Sequence, residues 1–156
     1  MAQTLNCTLS PTSDAVPFVD LHQSLPSQLQ AISPFVDELM HFIAKARSED
    51  GSEMDIEIAL REALENAIVH GNGEEPHKRV YVTCRCTPGG EVSITVQDEG
   101  RGFDTDTLPD PTTLENRLRT SGRGIYLMKT LMDEVCFEKG GTAVYMRKKA
   151  NPGSTA

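Results

Sequence analysis

Two runs of this 156-residue chain, 80–86 and 91–97, alternate apolar and polar side chains residue by residue, with Thr87-Pro-Gly-Gly90 between them. A period of two puts Val80, Val82, Cys84 and Cys86 on one face of a strand and Val92, Ile94 and Val96 on one face of the next. The Pro-Gly-Gly turn folds the second run back on the first. This hairpin constrains the fold more than any other feature, because it requires a sheet that is at least partly antiparallel, with one face buried and one wet. A second hairpin is predicted from 135–137 and 142–146, turned at Gly140-Gly141. Residues 18–25 read as a further strand, entered at Phe18 or Val19, with Leu21 and Leu25 on its buried side.

Between these strands the apolar spacing changes to that of helices. Leu29, Ile32, Phe35, Val36, Leu39, Met40, Phe42 and Ile43 predict a first helix over 27–47, with Pro34 marking a kink or a late start. Ser52 and Asp55 have the form of a capping box, and Ile56, Ala59, Leu60, Ala63, Leu64 and Ala67 carry a second helix until Gly71 and Gly73 stop it. Ser121-Gly-Arg-Gly124 opens a third, with Ile125, Met128, Leu131 and Met132 at helical spacing. The order strand, helix, helix, strand, strand, helix, strand, strand does not alternate as a doubly wound fold does. The expected class is α+β, a two-layer α/β sandwich with a mainly antiparallel sheet and three main helices on one face. One domain spans 18–148, between an N-terminal tail of residues 1–17, rich in Thr, Ser and Pro, and a C-terminal tail of 149–156. The aperiodic stretch at about 103–121, with Pro109 and Pro111, reads as a lid.

Fifteen basic against 23 acidic residues give a net charge of -8 with no basic cluster, which argues against direct nucleic-acid binding and for a protein partner. No apolar run is long enough to span a membrane, and the first residues lack the basic segment and apolar core of a secretory signal, so the expected location is cytoplasmic. Cys7, Cys84, Cys86 and Cys136 have no zinc-like spacing, and Cys84 and Cys86 read as reduced core thiols.

Three polar constellations interrupt this apolar plan. Glu62, Asn66 and His70 recur every four residues within the second helix, so an α-helix would stack them on one stripe. A carboxylate and an amide so placed can hold a proton acceptor and a divalent cation within reach of one phosphate; the plainer reading is a solvated face, since Glu57, Arg61 and Glu65 are spaced for surface ion pairs. Asp98-x-Gly-x-Gly102 sits at a strand end, where the carboxylate can accept the amino hydrogen of a purine and the glycines let backbone approach the ring; its plainer reading is an acidic turn. Gly122-x-Gly124 puts bare N–H groups at a helix N-terminus, where phosphate oxygens bind, with Arg117, Arg119 and Arg123 near in sequence; otherwise it is a Ser121 cap with a tight loop. All three together in one small domain make coincidence a poor explanation.

The combination resembles the ATP-binding domain shared by gyrase, the heat-shock chaperone, MutL and sensor histidine kinases. Glu62-x-x-x-Asn66 matches the N box, Asp98-x-Gly-x-Gly102 the first glycine box and Gly122-x-Gly124 the second. The strings 61–72, Leu114-Glu-Asn116 and 121–135 look more narrowly like the bacterial anti-sigma-factor serine/threonine kinases. That resemblance implies the Bergerat-type fold, ATP and Mg²⁺ as cofactors, Glu62 as the catalytic base and Asn66 as the metal ligand. It further implies a nucleotide site that draws on Asp98, Gly100, Arg101, Gly102, Ser121, Gly122, Arg123, Gly124 and Thr142. The partners it implies are a sigma factor, a STAS-domain anti-anti-sigma factor as phosphoacceptor, and a second copy of the chain, the first helix and its edge strand being candidates for that face. His70 stands where histidine kinases carry a basic residue after the N box, and Glu99 adds negative charge beside the expected adenine site. Two other readings share these residues: an ATP-dependent sequestering module without phosphotransfer, and a stand-alone histidine-kinase-like catalytic domain.

Overall fold

The computed structural model describes residues 19–47, 50–101 and 122–150. Five strands form one sheet: β1 (Val19–Pro26), β2 (Arg79–Cys86), β3 (Val92–Gln97), β4 (Glu134–Glu138) and β5 (Ala143–Lys148), in the spatial order β1-β2-β3-β5-β4. Every neighbouring pair is antiparallel. The two hairpins expected from the alternating runs are both present, and β5 inserts between β3 and β4 so that the later hairpin extends the earlier one.

Register converts the period-two pattern into a core. Leu21, Cys84, Ile94, Met146 and Val135 lie opposite one another across all five strands, and Val82, Val96, Val144 and Phe137 form a parallel row. These rows join one apolar cluster with the helices, and its sheet members from β2 and β3 are fully buried. The intervening row, His22, Thr83, Thr95, Tyr145 and Cys136, belongs to the opposite, polar face. A one-residue slip would exchange the two faces, so the hydrophobic pattern fixes the register.

Helix α1 runs Ile32–Ala46 after a short 3-10 turn at Leu29–Ala31, and buries Ile32, Val36, Leu39 and Ile43. Pro34 falls in its first turn, where the missing N–H has no intrahelical acceptor to lose, so the helix starts late and unkinked by it. Leu29, expected in the apolar stripe, lies in the 3-10 turn and is exposed. Helix α2 covers Glu53–Glu65 and buries Ile56, Ala59, Leu60, Ala63 and Leu64. The capping box is not formed. Ser52 occupies the N-cap position, but its hydroxyl lies 2.5 Å from Asp50 Oδ1 and accepts a hydrogen bond from Arg47 Nη2 at 3.1 Å. Glu53 takes over the carboxylate role, accepting from the N–H groups of Asp50 and Gly51. Helix α3, Gly122–Leu131, lies along α2 and buries Ile125 and Met128. Among the described residues no helix is long and apolar enough to cross a membrane. Cys84 and Cys86 are free thiols in the core, as expected, and Cys136 is half-buried with its Sγ beside the Glu134 carboxylate; Cys7, the lid at about 103–121 and both tails lie outside the described residues, apart from 149–150.

Candidate nucleotide site

Beyond Glu65, α2 does not simply end. Residues Asn66–Gly71 continue it as a π-helical turn, with Asn72 N–H bonded to the carbonyl of Ala67 at 2.8 Å. Such a turn widens the helix by one residue and is most often found at functional sites. It replaces the continuous α-helical stripe predicted from the four-residue spacing, yet Asn66 and His70 still face the same pocket. The pocket is an apolar slot walled by Ala63, Ala67, Val96, Met128, Phe137 and Val144. Its polar groups are few: Asn66, His70, Asp98 and Thr142.

At one end stands Asp98, directly after β3. Its N–H donates to the Thr142 carbonyl at 2.8 Å, and its Oδ1 accepts the N–H of Gly100 at 2.8 Å. Burial pushes this carboxyl up to about 6, outweighing the Gly100 N–H and the Lys78 charge, which favour the anion. Gly71 and Gly100 meet here. A β-carbon on Gly71 would collide with the Asp98 carboxylate, and one on Gly100 would collide with the Gly71 carbonyl. The end of the π turn and the loop after β3 therefore touch backbone to backbone, which only residues without side chains permit.

At the other end Glu62 and Asn66 face the start of α3. A β-carbon on Gly124 would lie 2.6 Å from Glu62 Oε1 and 3.6 Å from Asn66 Nδ2, so the N box and the second glycine motif are in van der Waals contact. Burial, and secondarily the charge of Glu65, raises the Glu62 carboxyl above its ordinary value. Asn66 Oδ1 is buried with no hydrogen-bond partner, as is His70 Nε2. A buried polar atom left without a partner is costly unless a ligand supplies one. The amide oxygen suits Mg²⁺, which takes hard oxygen donors and completes its shell with phosphates and water rather than an all-protein cage. The described residues contain no group of three His, Cys, Asp or Glu side chains that could hold a metal by themselves.

Of the residues expected in the site, Asn66, Asp98 and Thr142 line the pocket, with Glu62, Gly100 and Gly124 packed against its ends. Arg101 is exposed beyond Gly100, Gly122 and Arg123 lie in the first turn of α3, and Gly102 and Ser121 lie outside the described residues. Glu99 adds its negative charge beside Asp98, whose carboxyl it helps to raise, without lining the pocket. Its carboxylate accepts from Tyr81 O–H at 2.8 Å and Arg79 N–H at 3.2 Å, and it is absent from the pocket wall. One organising residue was missed by sequence reasoning. Asn72 is fully buried; its Oδ1 accepts the Glu99 N–H at 2.7 Å, while its Nδ2 donates to Ser27 Oγ and the Arg79 carbonyl, each at 3.1 Å. Its place directly after the helix-stopping Gly71 was the available signal.

A family model described as histidine kinase-like ATPase domain matches residues 25–148. The chain belongs to the histidine kinase-like ATPase family. An anti-sigma F factor from Oceanobacillus iheyensis is 36% identical over 106 residues, covering 65% of this chain and 72% of that protein. One from Clostridium perfringens is 37% identical over 115 residues, covering 70% and 81%. These relatives put the chain in the branch of the family that holds the anti-sigma factors. The RsbU and RsbW domains of Rv1364c from Mycobacterium tuberculosis share its fold, with a TM-score of 0.58 at 20% identity over 85% of this chain and 32% of theirs. The chain thus spans about a third of that solved chain. Membership makes this an ATP-binding domain.

Proposed function

We propose that this ATPase-family chain is an anti-sigma factor that binds Mg-ATP and phosphorylates a serine or threonine of a STAS-domain anti-anti-sigma factor. Adenine sits against Asp98, whose carboxylate accepts the exocyclic amino hydrogen, and the phosphates extend toward Asn66 and the N-terminus of α3. Asn66 Oδ1 would hold Mg²⁺, whose charge would offset that of the phosphates. Glu62 accepts or orients the proton of the attacking hydroxyl. Its raised affinity for a proton makes it a better base than an exposed glutamate, because catalytic efficiency grows as the acceptor approaches the working pH. Phosphotransfer to the antagonist leaves sigma bound; unmodified antagonist displaces it. The chain acts as a homodimer in this reading, with α1 and the β1 edge as the candidate face, in a cytoplasmic setting.

The observation that carries the reading is the contact of Gly124 with Glu62 beside the unpartnered Asn66 oxygen. A carboxylate, an unpartnered amide oxygen and a helix start lie within one side chain's length of each other, which supports the roles proposed for them.

The test is incubation of the chain with Mg-ATP and its co-purified partners, followed by mass spectrometry of any modified residue. Acid-stable phosphoserine or phosphothreonine on an antagonist is expected. Glu62→Gln should lower the transfer rate by 10² or more while leaving nucleotide and partner binding within about twofold. Wild-type protein that binds nucleotide and partner but modifies none of them points to sequestration alone, and acid-labile phosphohistidine to a histidine-kinase type of activity.

A further inference from the structure

The side chain proposed as base stands outside the slot. Glu62 is half-buried, is absent from the pocket wall, and packs against Gly124 where α2 meets α3. The two helices are antiparallel. Lys148 Nζ closes the far end of their seam, lying 3.4 Å from Asp55 Oδ2 near the start of α2 and donating at 2.6 Å to the Leu131 carbonyl at the end of α3. Residues 55, 58 and 62 of α2 and 124, 127 and 131 of α3 each follow i, i+3, i+7 spacing, so each set forms one stripe, and the seam runs about 10 Å from Glu62 to Asp55. Ala59, Ala63, Ile125 and Met128 fill its inner side and are buried. Its outer side is apolar and open. Ile58 and Leu127 are half-buried there, and beside them Met54 and Tyr126, 68% and 61% exposed, are the two most exposed large apolar side chains among the described residues.

With nucleotide in the slot, a hydroxyl that gives its proton to Glu62 reaches it from this outer side, and the polypeptide carrying that hydroxyl lies on the residues next to Glu62. We infer that the seam between α2 and α3 is the docking surface for the phosphoacceptor protein, with Met54, Ile58, Tyr126 and Leu127 receiving large apolar side chains that stand within about 10 Å of its acceptor hydroxyl. This rests on the phosphotransfer reading and adds to it a surface that selects the substrate. Neighbouring exposed apolar side chains mark binding surfaces on soluble chains, and a tyrosine, apolar in body and polar at its tip, suits one that is wet when empty. Continuity with Glu62 favours the acceptor as occupant over a second copy of this chain, because of the two it is the acceptor that has to touch the base.

The rate of transfer to the protein that becomes phosphorylated in the incubation above should be measured against that protein's concentration. The enzymes compared are wild type, the double variant Met54→Lys with Tyr126→Lys, Tyr126→Phe, and His22→Lys on the polar face of the sheet. The double variant should raise KM for the acceptor about tenfold or more while kcat at saturating acceptor and ATP affinity stay within about twofold, the pattern of a lost docking contact. Tyr126→Phe keeps the ring and should stay within about threefold of the wild-type KM, and His22→Lys should match wild type. Both lysines replace exposed side chains, so thermal unfolding of the double variant should match wild type and separate lost docking from lost fold. An unchanged KM in the double variant would overturn the inference. A fall in kcat at unchanged KM would do the same, as would a loss confined to ATP affinity or to self-association, which would seat residues 103–121 or a second copy on the seam instead. Wild-type protein that binds ATP and phosphorylates nothing would overturn the phosphotransfer reading itself, and this surface with it.

Discussion

At the scale of single residues, the site combines groups whose ordinary chemistry has been shifted by where the chain puts them. Asp98 is the clearest, because burial raises its carboxyl from 3.8 to about 6. The folded state then holds a proton more tightly than the unfolded chain, so this group adds stability as the pH falls through about 6 and adds no further below the unfolded value. In the proposed site, binding of the base goes the other way, since the anion would be the acceptor for the adenine amino group. Adenosine affinity should be constant above pH 7 and drop roughly tenfold per unit once the pH is below about 6, while nucleotide-free thermal stability rises across the same window. Adenosine is the right probe because it has no phosphate of its own to titrate. Asp98→Asn should flatten both dependences, weaken adenosine at pH 7.5, and raise the nucleotide-free melting temperature by removing a poorly solvated charge. Calorimetric titrations and thermal melts at pH 7.5, 6.5 and 5.5 test this. A pH-independent wild type would exclude Asp98 as the base acceptor.

At the scale of elements, the π turn Asn66–Gly71 aims two unpartnered atoms into the pocket, and Asn72 ties its end to the loop after β3, the start of β2 and Ser27, the residue directly after β1. Truncating Asn72 removes three hydrogen bonds, one buried and two part-buried, and leaves the Glu99 N–H and Arg79 carbonyl without that partner. Asn72→Ala should cost about 2–4 kcal/mol in denaturant unfolding and also weaken adenosine severalfold, because the backbone beside Asp98 loses its anchor. Asn72→Asp, which keeps the acceptor for Glu99, should retain more of the affinity than of the stability. These elements differed in how legible they were. Strands 80–86 and 91–97 could be read to within a residue because alternation and a Pro-Gly-Gly turn agree with each other. The π turn could not, since a slip from i−4 to i−5 bonding over six residues leaves no period of its own. The capping box failed for a related reason: Arg47, Asp50, Ser52 and Glu53 form a buried ion-pair cluster that outcompetes the local cap, and sequence spacing does not reveal which partner a serine will choose. Glu99 was legible as a charge and illegible as a contact, because its partners Arg79 and Tyr81 come from the neighbouring strand.

At the scale of the molecule, core and pocket share a wall. Met128 is 1% exposed, belongs to the central apolar cluster and also lines the slot, as do Val96 and Val144 from the sheet. The slot is therefore a gap left where α2, α3 and the ends of β3 and β5 fail to close, and the energy that folds the domain also shapes the ligand site. Leu39 of α1 is equally buried in the same cluster but does not line the slot. Removing either side chain should cost about 2–5 kcal/mol through lost burial and residual cavity. The two should part company on binding. Leu39→Ala should leave ATP affinity within about twofold, since Leu39 does not line the slot, whereas Met128→Ala should widen the slot and weaken ATP by about tenfold through lost contact with the base. Saturating Mg-ATP should then restore more melting temperature to Leu39→Ala than to Met128→Ala, because ligand stabilises the folded state in proportion to the logarithm of its saturation. Equal losses of affinity in the two variants, at equal losses of stability, would mean that binding follows global stability alone and that Met128 has no separate part in the pocket.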